Sequence, residues 1–120
     1  MPDPMWDPLA KPKLQSCFTI KLSDYQCAIA DLCEYYGKGY LLTRVNVPAE
    51  FRGKGYATQL LKQVLAAADE AQITLLLEVA PGIGSSMTAE QLRAWYSRHG
   101  FLDWKGIMRR KPHIPNKEPQ

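Results

Sequence analysis

The chain has 120 residues, 46% of them hydrophobic and 10% aromatic, enough for one packed core and too few for a second independent domain. It has no run approaching the roughly 18 to 20 consecutive apolar residues of a membrane span, and its first twelve residues hold four prolines with Asp3 and Asp7 in place of an apolar leader, so the expected compartment is the cytoplasm. The net charge of +3 is uneven, because residues 105–120 hold five of the fifteen basic residues and one of the twelve acids. Within that stretch Arg109-Arg110-Lys111 lacks interleaved aromatics and reads as a solvated end, so nucleic acid is not an expected partner.

Residues 1–16, with Pro2, Pro4, Pro8 and Pro12, resist helix and sheet and are expected to form an extended arm, which Trp6 and Leu9 could pin to the body. Cys17 to Leu22 has the alternation and β-branching of a strand, and Ser23-Asp24 follows as turn chemistry. Tyr25 to Tyr36 fits two periods. As a helix it would place Tyr25, Ala28, Ile29, Leu32, Cys33 and Tyr36 on one face behind a Ser23–Gln26 capping box. As a strand it would lead through Gly37-Lys38-Gly39 into a strand over 40–47, giving an antiparallel meander.

Pro48 ends that strand, and a glycine-bearing loop over 50–55 precedes a helix expected at 56–71, where Leu60, Leu61, Val64, Leu65 and Ala68 recur at helical spacing. Residues 73–79 form an apolar run closed by Pro81-Gly82, short enough for a buried strand. A strand, a crossover helix and another strand imply parallel pairing. Thr88 to Gln91 is a capping-box pattern opening a helix over 88–99 that would bury Leu92, Trp95 and Tyr96 and stop at Gly100. A hairpin about Lys105-Gly106 closes the folded part at 111, and residues 112–120 are a second proline-broken tail.

Cys17, Cys27 and Cys33 show no C-x-x-C spacing, and His99 and His113 are few and far apart, so neither a disulfide framework nor a metal site is expected. The thiols are read as reduced packing residues. The segment Arg52-Gly53-Lys54-Gly55-Tyr56-Ala57 supplies what a diphosphate needs: glycines that let a ligand approach backbone N–H groups, two cations, and the positive end of a following helix. Taken alone it is equally well a glycine-rich turn, and it matches neither the triphosphate P-loop nor the dinucleotide fingerprint.

Its surroundings extend the reading. Val45 to Ala57 with Arg52, Gly55 and Ala57 in an Arg-x-x-Gly-x-Ala pattern, the strand ending Leu77-Glu78-Val79, and Tyr96-x-x-x-Gly100-Phe101 together resemble the GCN5-related N-acetyltransferase (GNAT) family over roughly residues 40–110. The resemblance implies an α+β fold of GNAT-like, three-layer type: a mixed, mostly antiparallel sheet flanked by helices, with a central parallel strand pair splayed to admit acyl-CoA. It favours the strand reading of residues 25–36.

The resemblance further implies transfer of an acetyl group from acetyl-CoA to a primary amine of a small molecule, peptide or protein, without a metal. Val45, Asn46 and Val47 would line the cofactor arm, with the Val47 N–H polarising the thioester carbonyl. Arg52, Gly53, Lys54, Gly55, Tyr56, Ala57 and Thr58 would hold the pyrophosphate. Tyr96 would donate a proton to the departing thiolate and Glu78 would act as base, with Glu34 and Asp31 as competitors. Relatives place two helices where this chain has the proline-rich arm, so the acceptor cleft would be open, or completed by the arm or by a second subunit in a homodimer. Leu41 and Leu42 stand where many relatives have an acid. The alternative is a non-catalytic acyl-CoA-binding module on the same scaffold.

Overall fold

The protein is described from a computed structural model, which places residues 14–35, 37, 39–80 and 87–113. The expected arm and tail therefore lie largely outside the described residues, as do Trp6, Leu9, Tyr36, Lys38 and the Pro81-Gly82 pair. Among the described residues six strands and two α-helices follow in the order β1 (Cys17–Lys21), β2 (Cys27–Glu34), β3 (Tyr40–Asn46), α1 (Tyr56–Ala71), β4 (Leu75–Leu77), α2 (Ala89–Ser97), β5 (Leu102–Trp104) and β6 (Ile107–Arg110). A short 3-10 turn at Ala49–Phe51 links β3 to the glycine loop. The sheet order is β1-β2-β3-β4-β6-β5, antiparallel throughout except for the parallel pair β3–β4. This is the mixed sheet with one parallel pair that the sequence implies.

The segment that fitted two periods is a strand. Its alternation decides the matter: Ala28, Ala30 and Leu32 are buried while Cys27, Cys33 and Glu34 are exposed. Ser23 and Gln26 close the β1–β2 hairpin instead of capping a helix, with the Leu22 and Ser23 N–H groups donating to the Gln26 carbonyl. A register shift between Asp31 and Leu32 lets β3 carry one extra residue.

One core fills the molecule. Leu60, Leu61, Val64, Leu65 and Ala68 of α1 pack on Phe18, Ala28, Ala30, Leu32, Tyr40 and Leu42, and Trp95 and Tyr96 of α2 join the same cluster. Across the sheet from it Thr19, Lys21, Cys27, Cys33, Arg44 and Asn46 are exposed. The cysteines are thus free thiols that do not belong to the core, contrary to the packing role expected of them: strand alternation turns Cys27 and Cys33 outward. In α2 the capping box at Thr88 and Gln91 forms as expected, but Leu92, Trp95 and Tyr96 are only half-buried, because their apolar face borders a cleft.

The C-terminal ends of α1 and α2 are tied through one side chain. Arg110 on β6 makes a bidentate ion pair with Asp69 of α1 at 2.8 and 3.0 Å, and its Nε donates to the His99 carbonyl just past α2. The His113 N–H also donates to Asp69. Partial burial pushes the Asp69 carboxyl up, but the hydrogen bonds and charge of Arg110, with the His113 N–H, outweigh it and leave the net value below the usual 3.8.

A carboxyl whose folded value is depressed contributes stability that is complete above its unfolded value and lost as pH falls through its folded value. Asp69→Asn is therefore expected to lower the melting temperature at pH 7, with the gap to the native chain closing below about pH 3.8; thermal melts from pH 7 to pH 3 read both effects. A second expectation concerns Gly39, which has φ of +134° and whose Cβ, if present, would lie 2.2 Å from the Thr74 carbonyl oxygen. Gly39→Ala should cost about 2 kcal/mol or more of stability, measurable by denaturant titration.

Candidate active site

The site follows from how briefly β3 and β4 remain together. They pair only at Tyr40–Leu75 and Leu41–Leu76, anchored by the Tyr40 N–H donating to the Thr74 carbonyl at 2.9 Å. From Leu42 to Asn46 the β4 side of β3 has no strand partner among the described residues. The gap opens into a cleft of about 510 Å³, within the range typical of small-molecule sites.

Three elements meet there. The outer half of β3 and the residue that follows it supply Val45, Asn46 and Val47. The loop and first turn of α1 supply Arg52, Gly53, Gly55, Tyr56, Ala57 and Thr58, and α2 faces them with Leu92, Trp95 and Tyr96. Glu78 also lines the cleft, one residue past β4. Of the residues expected to hold the cofactor, Lys54 stands outside the lining. Its ammonium lies 5.7 Å from the centroid of the Phe51 ring, which is itself edge-on to Tyr56 at 6.4 Å. The Phe51 ring therefore links the loop's cation to the first residue of α1, and sequence inspection did not single it out.

The loop's shape rests on its glycines. Gly53 and Gly55 have φ of +78° and +87°, and a Cβ on either would meet no atom within 4 Å. The requirement is conformational, and the space beside each glycine stays open. Gly55 is the N-cap of α1 and, having no side chain, leaves the first N–H groups of the helix without a side-chain cap. Arg52 bends back, its Nε donating to the Val47 carbonyl at 2.9 Å, which ties the loop to the end of β3.

The Tyr96-x-x-x-Gly100-Phe101 spacing has a structural cause. Gly100 takes φ of +93°, and the Phe101 N–H donates to the Tyr96 carbonyl. That turn brings fully buried Phe101 edge-on to Tyr96 at 5.5 Å, with Trp95 at 4.9 Å. Burial raises the Tyr96 phenol above its usual 10.0, so it stays protonated at neutral pH. Burial, with the cations Lys62, Arg98 and Arg110, lowers the His99 imidazole below its usual 6.5.

The carboxylates are arranged differently. Leu75 and Leu77 join the core and Leu76 turns away from it, so the same alternation carries exposed Glu78 to the far side of the sheet. Asp31 is engaged by Arg44, whose Nε and terminal nitrogen reach its carboxylate at 2.8 and 2.7 Å, and Glu34 is exposed at the end of β2. Neither Asp31 nor Glu34 lines the cleft, whereas Glu78 does.

The sequence profile of the acetyltransferase (GNAT) domain matches residues 14–102. No functionally curated protein matches the chain. Among solved structures, an acetyltransferase from Bacillus cereus ATCC 14579 superposes with a TM-score of 0.61 at 16% identity, covering 79% of this chain and 71% of its own. The anti-CRISPR protein AcrVA5 superposes at 0.56 with 19% identity, covering 79% and 98% respectively. A GNAT-family acetyltransferase from Staphylococcus aureus Mu50 gives 0.53 at 17% identity over 72% and 60%. At these identities the likeness is one of fold, and the profile match over most of the chain adds the lineage. The chain belongs to the GNAT acetyltransferase-domain family.

Proposed function

We propose that the protein transfers the acetyl group of acetyl-CoA to a primary amine by direct attack. The observation that carries this reading is the convergence, in one cleft, of an unpaired strand edge, a glycine loop at an uncapped helix N-terminus, and a protonated tyrosine. The pyrophosphate lies on residues 52–58, where backbone N–H groups and the helix dipole favour an anion and the open space beside Gly53 and Gly55 admits it. The pantetheine arm runs along Val45, Asn46 and Val47, which lie beyond the last β3–β4 pair among the described residues.

The neutral amine attacks the thioester carbonyl carbon, the C–N bond forms, and collapse of the adduct breaks the C–S bond. The Val47 N–H supports the oxyanion. Tyr96 faces the departing sulfur. A thiol titrates ordinarily near 8.5 and this phenol above 10, so complete proton transfer to sulfur is uphill by at least about 2 kcal/mol. Tyr96 therefore acts first as a hydrogen-bond donor that stabilises the thiolate. Glu78, on the acceptor side of the splay, takes the proton released from nitrogen, directly or through water.

Calorimetry with acetyl-CoA should give one site per chain, and failure to bind would remove the reading. Gly55→Val should abolish that binding while leaving a folded protein, since a β-branched residue is strained at φ of +87° and projects into the ligand's space. Tyr96→Phe should reduce thiol release over an amine panel roughly 10²-fold or more with unchanged acetyl-CoA affinity. The same variant should lose the tyrosine absorbance step expected above pH 10.0 in the native protein.

A further inference from the structure

The Arg109-Arg110-Lys111 run, read from the sequence as a solvated end, is divided by strand alternation. Arg110 turns inward to Asp69, whereas Arg109 turns to the other face and stacks on Trp104, its guanidinium carbon 4.6 Å from the ring centroid. Lys105 approaches the same ring, its ammonium at 5.0 Å. Neither cation has a carboxylate partner among the described residues, and the hairpin's own acid, Asp103, is engaged by Arg93 of α2.

The turn that holds Lys105 is itself a choice. Lys105 and Gly106 both have positive φ, +51° and +86°, which is a two-residue type I′ hairpin. The first position of such a turn favours Asn, Asp or Gly, and a lysine there carries a conformational cost of about 1 kcal/mol. In exchange the ammonium is fixed above Trp104 next to Arg109. Leu102, 71% exposed, lies on the same face of β5, the edge strand of the sheet. An aromatic ring, two cations without acidic partners and an exposed leucine on an open strand edge make a surface of the composition that anchors protein partners.

Its position connects it to the acceptor. Arg109 is the register partner of Leu76, two residues before Glu78 and on the side to which Glu78 turns. Building on the acetyl-transfer reading, we infer that the acceptor is a protein or peptide amine flanked by acidic residues, laid in extended form against β5 with its carboxylates on Lys105 and Arg109. An acidic peptide is favoured over a nucleic acid because the Trp104 ring is already engaged by two cations, and because Leu102 offers an aliphatic contact instead of a stacking plane.

The test separates docking from chemistry. Fluorescein-labelled lysine peptides with acidic, neutral and basic flanks, and a single-stranded oligonucleotide of equal length, are titrated into the full chain and followed by anisotropy. The acidic peptide should bind tightest, and more weakly as salt rises. Lys105→Gln with Arg109→Gln should weaken it roughly tenfold while leaving acetyl-CoA affinity and the melting temperature unchanged. Equal binding of all peptides, tighter binding of the oligonucleotide, or an unaltered preference in the double variant would each overturn the inference. Because binding is read without turnover, failure of acetyl transfer with intact acidic-peptide binding would count against the catalytic reading alone.

Discussion

The molecule depends on how soon two parallel strands part. β3 and β4 share two residue pairs, and everything useful happens beyond the second. The contact that begins the pairing needs a residue without a side chain, since a Cβ on Gly39 would collide with the Thr74 carbonyl. With longer pairing the main-chain groups of Val45 to Val47 would be committed to a sheet ladder. With none, α1 and α2 would have no common floor. The core beneath the strands stays continuous, so the opening does not divide the fold.

Where local chemistry and tertiary context agree, the sequence was legible. The glycine loop, α1, the Thr88 capping box, the Gly100 helix stop and the last hairpin each rest on a few neighbouring residues, and each forms within a residue or two of its expected place. Residues 25–36 were not legible from their own pattern. Their apolar positions satisfy both periods, and only the partners on either side, β1 and β3, select the strand. The same limit explains the cysteines and α2. Composition marks Cys, Trp and Leu as interior residues, but which face a strand presents, and whether a helix borders a core or a cleft, depends on what lies across from it.

The candidate site divided along the same line. Residues on the loop and at Tyr96 could be found because their motifs have mechanical causes: positive-φ glycines, an uncapped helix start, and a turn that folds Phe101 back on the tyrosine. The basic run near the end of the chain could not be parsed, since three consecutive cations look alike until alternation sends Arg109 to Trp104 and Arg110 to Asp69. Phe51 was missed for a related reason: its role comes from a neighbouring lysine and tyrosine that converge only after the chain has turned.

The ion pair of Arg110 with Asp69, together with its bond to the His99 carbonyl, has a mechanical meaning as well as an energetic one. It fastens the C-terminal ends of the two helices that wall the cleft, at the end of α1 opposite the glycine loop. The link fixes how far apart the two walls stand at that end, and α1 runs from it to the glycine loop that lines the cleft, so one side chain on β6 sets the spacing of a site to which it contributes no atom.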